Sequence, residues 1–342
     1  MRIDLALAGY GVVGRAFVQL IGEKQEELRQ AYGLDLRLIA VAGRGIRLHA
    51  DDGLEPDKLL ACGEGSEGLR RAADLKPGWR SEAPLAGDVL IEATPTDLET
   101  GEPGLSYFRE AMKAGMDIVA ISKGALVTAW AAIMEEARRA NVRVRFSGAT
   151  AAALPMLDLG LYSLAGCRIE RIEGILNGTT NFLLSRMREE GGTYAEALAE
   201  ARRRGIAETN PALDVSGRDS ACKLLLLANR LLGAAASLAD VRLQGIEGVT
   251  PADIRQAQAD GGQLKLVASA YQDRDGRVWL EVGPRVLPAG HPLAGVHGTE
   301  KGVTFTTDSM GAVTVTGGAS SPRGAAAAAL KDILNLYRKD ER

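Results

Sequence analysis

The stretch Ile3-Asp4-Leu5-Ala6-Leu7-Ala8-Gly9-Tyr10-Gly11-Val12-Val13-Gly14 stands at the start of the chain and decides the fold. Residues 3–8 are an apolar run of strand length, and an amphipathic pattern of helical period follows to about Tyr32. Between them lies G-x-G-x-x-G, a weak signal alone in a chain with 41 glycines. Set between a strand and a helix, it predicts a dinucleotide-binding turn. Gly9 allows the tight turn, Gly11 lets the backbone approach a pyrophosphate, and Gly14 lets helix and strand pack closely. Val12 and Val13 lie within that turn, and the free N–H groups at the start of the helix that follows suit the anion. A tight turn without a ligand is the alternative.

Working outward, Leu36–Ala42, Asp88–Ala93, Asp117–Ile121 and Val142–Phe146 read as further strands, with helical stretches at Tyr107–Ala114 and Trp130–Ala140. This alternation predicts an α/β chain whose first domain, residues 1–150, is a Rossmann-like, doubly wound parallel sheet. The pattern then changes. Residues 151–240 are mostly helical, with a strand at Glu173–Leu176, and from Gly261 the period becomes strand-like, as in Val278–Val282 and Val313–Val315. Residues 151–315 are therefore expected to form an α+β second domain. The segment 316–342 carries an alanine-rich helix, Arg323–Tyr337, free to return to the first domain. Its alanines favour helix and need no special function.

With 46% hydrophobic residues the chain can bury a sizeable core. Its 41 basic and 44 acidic residues argue against a nucleic-acid or anionic-membrane partner. Cys62, Cys167 and Cys222 form no C-x-x-C motif, and an odd count disfavours a disulfide framework. The three histidines, His49, His291 and His297, are too scattered for a histidine metal site. Apolar runs such as Leu224–Ala228 are too short for a bilayer, and the glycine motif begins too early to leave room for a signal peptide. The expected location is the cytoplasm.

Three loops follow strand ends, where open α/β sheets bind ligands. After the second strand, Ala42-Gly43-Arg44-Gly45 lacks the acidic residue that selects NAD, and Arg44 favours NADP, with NAD still open. Arg44 on a solvated loop is the alternative. Thr94-Pro95-Thr96 and Ser122-Lys123-Gly124 are the other two. Lys123 there is a candidate for contact with substrate or nicotinamide, although by position alone a surface lysine fits equally. The richest stretch is Ala201-Arg202-Arg203-Arg204-Gly205-Ile206-Ala207-Glu208-Thr209-Asn210-Pro211-Ala212-Leu213-Asp214-Val215-Ser216-Gly217-Arg218-Asp219-Ser220-Ala221-Cys222-Lys223. Asn210-Pro211 predicts a loop around Glu208 and Asp214. Asp219 and Lys223, four apart, share one face of the helix that continues into Leu224–Leu227. Carboxylates around one lysine suit an amino-acid substrate's ammonium and leave the lysine for proton transfer; a solvated salt bridge is the plainer reading.

Ala201–Lys223 resembles the signature of homoserine dehydrogenases. Gly174–Phe182 is similar to that family's N-G-T-x-N-F segment, and the loops at Thr94 and Lys123, with His291-Pro292-Leu293-Ala294, resemble it too. The resemblance implies a homodimer that interconverts L-homoserine and L-aspartate 4-semialdehyde in threonine and methionine biosynthesis. It implies Lys223 as general acid/base with Asp219 beside it, Glu208 and Asp214 on the substrate's amino end, Gly178 and Thr179 lining the pocket, and Lys123 near the nicotinamide. Thr94, Pro95 and Ser122 would contact the cofactor. A monovalent cation such as sodium would sit at Ser147, Thr150 and Ala152.

Three departures stand out. Ile121-Ser122-Lys123 replaces Ala-Asn-Lys, Gly317-Gly318-Ala319-Ser320 replaces G-P-G-A-G, and Ser147 stands where many members carry the cation-binding glutamate, which leaves sodium binding open. An appended regulatory domain is not expected. Another dinucleotide oxidoreductase, acting on a different hydroxy-amino acid or semialdehyde, is the runner-up. A cofactor-sensing binding protein is the non-enzymatic one, and it gives no reason for Glu208, Asp214, Asp219 and Lys223 to occur together.

Overall fold

The computed structural model of the protein describes residues 1–273, 275–318 and 320–338. Ala319 and residues 339–342 of the C-terminal segment lie outside the described residues. Two compact units emerge, one of Met1–Ala153 with the chain from Ser321 onward, the other of Leu154–Ser320.

The first unit begins β1 (Arg2–Ala8), α1 (Val12–Tyr32), β2 (Asp35–Gly43) and β3 (Ile46–His49), followed by α2 (Pro56–Ala61) and α3 (Gly65–Leu75). It continues β4 (Val89–Glu92), α4 (Gly104–Ala114), β5 (Asp117–Ala120), α5 (Gly124–Ala140), β6 (Val144–Arg145) and the single turn α6 (Ser147–Thr150). The six strands run in the order β3-β2-β1-β4-β5-β6. All pairs are parallel except β2–β3. That edge differs from an all-parallel sheet: Arg44-Gly45 make a tight turn with Gly45 at φ +66°, and β3 folds straight back on β2. The order reverses between β1 and β4, the place where such sheets open a ligand crevice. Helix α5 breaks at Ala129 (φ −137°), so the predicted stretch from Trp130 is only its second part.

The second unit holds α7 (Met156–Asp158), β7 (Ile169–Ile175), α8 (Gly178–Glu190), α9 (Tyr194–Arg203), α10 (Ala212–Val215) and α11 (Arg218–Leu231). Then come β8 (Val241–Leu243), α12 (Pro251–Ala259), β9 (Gly262–Gln272), β10 (Val278–Pro288), β11 (Lys301–Thr307) and β12 (Gly311–Gly317). Its sheet order is β12-β11-β7-β9-β10-β8, antiparallel except for β8–β10. Strand β7 starts well before the predicted Glu173. Its charged residues hid it, but Glu173 is paired on the sheet with Arg171 at 2.8 Å and Arg285 at 2.7 Å.

The last helix, α13 (Pro322–Tyr337), belongs to the first unit, where Ala326, Ala329, Leu330, Ile333 and Leu336 join one core with Phe17, Val18 and Ile21 of α1. Arg323 pairs with Glu23 at 2.7 Å, and the Tyr337 hydroxyl donates to Asp117 at 2.7 Å. No helix among the described residues is long and apolar enough to cross a membrane.

Candidate active site

In the first unit, the strand–turn–helix at residues 3–14 builds a site from backbone. Gly9 has φ +97°, and a Cβ on it would lie 2.3 Å from the Ala93 carbonyl oxygen, so only glycine lets the loops after β1 and β4 touch. Gly14 is buried within α1. Gly11 is a different case. Its φ of −81° suits any residue, and a Cβ there would meet nothing within 4 Å among the described residues. Neither conformation nor packing demands glycine at that place. Open space above the uncapped start of α1, with Val12 exposed and Val13 partly so, fits the close approach of a pyrophosphate.

Sequence reasoning passed over Glu92, the last residue of β4. It is fully buried, and its Oε1 accepts from the Thr94 amide at 2.8 Å and from the Thr94 hydroxyl. Its Oε2 accepts from Ser122 Oγ at 2.6 Å. One carboxyl thus ties the loop of Thr94-Pro95 to the loop of Ser122-Lys123. Burial pushes its pKa up, and the hydrogen bonds from Ser122 and Thr94 oppose that. Lys123 immediately precedes α5, and its amide reaches Thr96 Oγ1 at 3.4 Å.

Arg44 is exposed in the turn after β2, its amide held by Ser66 Oγ at 2.7 Å. Arg47 is turned away to a two-pronged bond with Glu110 at 2.6 and 2.9 Å. Among the described residues, the exposed Arg44 side chain has no such anchor. Ser147 and Thr150 are buried in α6, and Ala152 follows at φ +53°.

In the second unit, Lys223 Nζ donates to Asp219 Oδ2 at 2.6 Å and to the Leu176 carbonyl at 2.9 Å. The pair is largely enclosed, with side chains 13% and 14% exposed. Asn177, missed as a site residue, organises the rest. Its Nδ2 donates to Asp214 Oδ1 at 2.7 Å and Asp219 Oδ2 at 2.8 Å, while its Oδ1 caps α8 through the Thr180 amide at 2.9 Å. Asp214 lies not in a loop but in the one-turn helix α10, because Pro211 can open a helix and Asn210 Oδ1 takes the Ala212 amide at 3.2 Å. Gly178 brings α8 against the 299 backbone: a Cβ would lie 2.6 Å from the Thr299 carbonyl. Thr179 Oγ1 reaches the Ile206 carbonyl at 3.4 Å. Glu208 is exposed after α9 and, among the described residues, joins no ion pair with this cluster. The structure therefore gathers Lys223, Asp219, Asp214 and Asn177, with Gly178 and Thr179 adjacent in the chain, and does not bring Glu208 into that network.

Residues 9–147 match the model described as the homoserine dehydrogenase NAD-binding domain, which with the glycine turn places the chain among nicotinamide-dinucleotide oxidoreductases. Residues 155–334 match the homoserine dehydrogenase model itself. The chain belongs to the homoserine dehydrogenase family. It is 35% identical to an NAD(+)-dependent homoserine dehydrogenase of Pseudomonas canavaninivorans, covering 99% of this chain and 97% of that one. It is 32% identical to a homoserine dehydrogenase of Methanocaldococcus jannaschii, covering 99% and 100%. A crystal structure of the homoserine dehydrogenase from Thermoplasma acidophilum superposes with TM-score 0.82 at 25% identity, covering 98% and 99%.

Proposed function

We propose that this enzyme interconverts L-homoserine and L-aspartate 4-semialdehyde, with Lys223 as the general acid/base. The observation that carries the reading is the Lys223 ammonium fixed by Asp219 and the Leu176 carbonyl. Two of its three N–H donors are then engaged within the protein, and the third suits the substrate oxygen. When bound, the nicotinamide takes up or gives back the hydride of the reacting carbon. In reduction the Lys223 ammonium gives a proton to the aldehyde oxygen; in oxidation the same lysine, as the neutral amine, takes the hydroxyl proton. Asp219 holds the lysine in place, and Asn177 sets the spacing between Asp219 and Asp214. Asp214, with Glu208, would meet the substrate's ammonium, and Gly178 and Thr179 would line the pocket. Lys123 would serve beside the nicotinamide.

The fit of the first unit to the cofactor rests on Gly11, Val12, Val13 and the loops of Thr94-Pro95 and Ser122. The exposed Arg44 supports NADP as the preferred form, with NAD also accepted. The remaining parts of the reading are a homodimer, checked by sedimentation equilibrium, a cytoplasmic location, and a place in threonine and methionine biosynthesis. Residues 1–150, 151–315 and 316–342 would be the dinucleotide-binding, catalytic and returning segments. The central test mixes purified protein with L-homoserine and either NADP or NAD at alkaline pH and follows reduced nicotinamide by absorbance. Turnover of another hydroxy-amino acid but not of homoserine would overturn the substrate assignment.

A further inference from the structure

Ser147, Thr150 and Ala152 stand where the family resemblance implies a monovalent cation, and the side chains gathered there fit one poorly. Such ions need several oxygen ligands and a compensating negative charge. The carboxylate at this place is Asp332 of α13, fully buried. It accepts both the amide and the hydroxyl of Ser147, each at 2.8 Å. The Ser147 carbonyl is also engaged, accepting from Thr150 Oγ1 at 2.9 Å and from the Ala151 amide at 3.3 Å. The Lys331 ammonium lies 2.7 Å from Ser147 Oγ and 3.0 Å from Asp332 Oδ1. It already holds the oxygens that an incoming cation would need, and two like charges so close in a buried place repel strongly.

We infer that Lys331 supplies from within the chain the positive charge that a bound monovalent cation would otherwise bring to the Ser147–Thr150 turn, so that the protein needs no such ion. Serine at 147 and lysine at 331 then form one exchange: the first omits a carboxylate, the second provides the counter-charge for Asp332. Burial raises the Asp332 pKa, and Lys331 is the foremost of the groups that bring it back down. The inference rests on the family assignment only for the expectation of a cation. Every residue in the cluster lies in the first unit.

The test exchanges sodium chloride for potassium chloride or N-methylglucamine chloride at constant ionic strength, which keeps general screening equal. Thermal midpoint and turnover are then read. An ion that binds the folded state raises the midpoint by several degrees when well above its Kd. We expect the wild-type midpoint to be the same in all three salts and turnover to vary less than about twofold, well under the tenfold that 1.4 kcal/mol would give. The double variant Ser147→Glu/Lys331→Ala restores a carboxylate and removes the ammonium, and its midpoint should rise specifically in sodium or potassium. A wild-type midpoint that already rises with a small cation overturns the inference, and so does a folded double variant with no ion dependence. If the double variant does not fold, the wild-type comparison decides alone. The midpoint needs no homoserine, so failure here is separable from failure of the proposed activity.

Discussion

Ser122 Oγ donates to Glu92 Oε2 at 2.6 Å, joining the loop after β5 to the carboxyl that also holds the Thr94 loop. Both loops are proposed to meet the cofactor, so Glu92 should act through them. Glu92→Ala leaves buried partners unsatisfied and should cost about 2–4 kcal/mol of stability while raising the cofactor KM. Glu92→Gln keeps an acceptor for Thr94 and offers a donor to Ser122, and should hold the cofactor KM near wild type. The pKa of Glu92 is raised, so its contribution to stability is whole at low pH and is lost as pH climbs from the ordinary carboxylate range through the folded value. The stability of Glu92→Gln relative to wild type should therefore improve as pH rises. A Glu92→Ala variant with unchanged cofactor KM would assign Glu92 to stability alone.

Lys223→Met should lower turnover by roughly 10²–10⁴-fold in both directions, the usual contribution of a general acid/base. Cofactor affinity should stay near wild type. Normal turnover with a lowered thermal midpoint would reduce Lys223 to a partner of Asp219.

Asn177→Asp keeps a capping oxygen for Thr180 but sets a third carboxylate against Asp214 and Asp219, within the present 2.7 and 2.8 Å contacts. Homoserine KM should rise while far-ultraviolet circular dichroism shows α8 intact. An unchanged KM would show that the spacing of the two aspartates does not serve substrate binding.

Arg44→Asp should raise the KM for NADP and relieve the bias against NAD, because an acidic residue at this strand end suits a free ribose 2′-hydroxyl. Steady-state kinetics with both cofactors, giving equal constants in wild type and variant, would return Arg44 to a solvated turn.

Lys265 in β9 is buried against Asn181 Oδ1 at 3.0 Å and the Val296 carbonyl at 2.6 Å, and burial lowers its pKa to about 8. Between about 8 and the ordinary 10.5 the unfolded chain binds the extra proton, so this group's effect is to raise stability with pH across that window. Lys265→Met should remove that rise, about 3 kcal/mol at most. Parallel pH profiles for wild type and variant in urea titrations would show that the lysine is not held in this way.

Much of the first unit could be read directly from the residues, because a buried parallel strand and an amphipathic helix each leave a plain period. Strand β3 left too little: Ile46-Arg47-Leu48-His49 alternates apolar and polar, but over only four residues. Glu92 read as the polar end of a strand, since its meaning depends on Ser122, 30 residues away. Lys223 and Asp219 were visible because both lie on one helix. Asn177 stands within the Gly174–Phe182 motif, yet its partners stand 37 and 42 residues downstream, a separation no spacing rule covers. Lys331 was hidden in an alanine-rich helix, 184 residues from the serine it bonds.

Because α13 completes the core around α1, the first unit is stitched from two segments, with the whole of Leu154–Ser320 emerging in between. On the ribosome, the second unit therefore has all its own parts in hand before the first unit does. The glycine turn and its sheet must wait, with the apolar flank of α1 uncovered, until Ala326–Leu336 has been made. Synthesis that stops short of α13 would leave a dinucleotide-binding unit with a bare apolar seam, the kind of surface that chaperones hold and proteases clear.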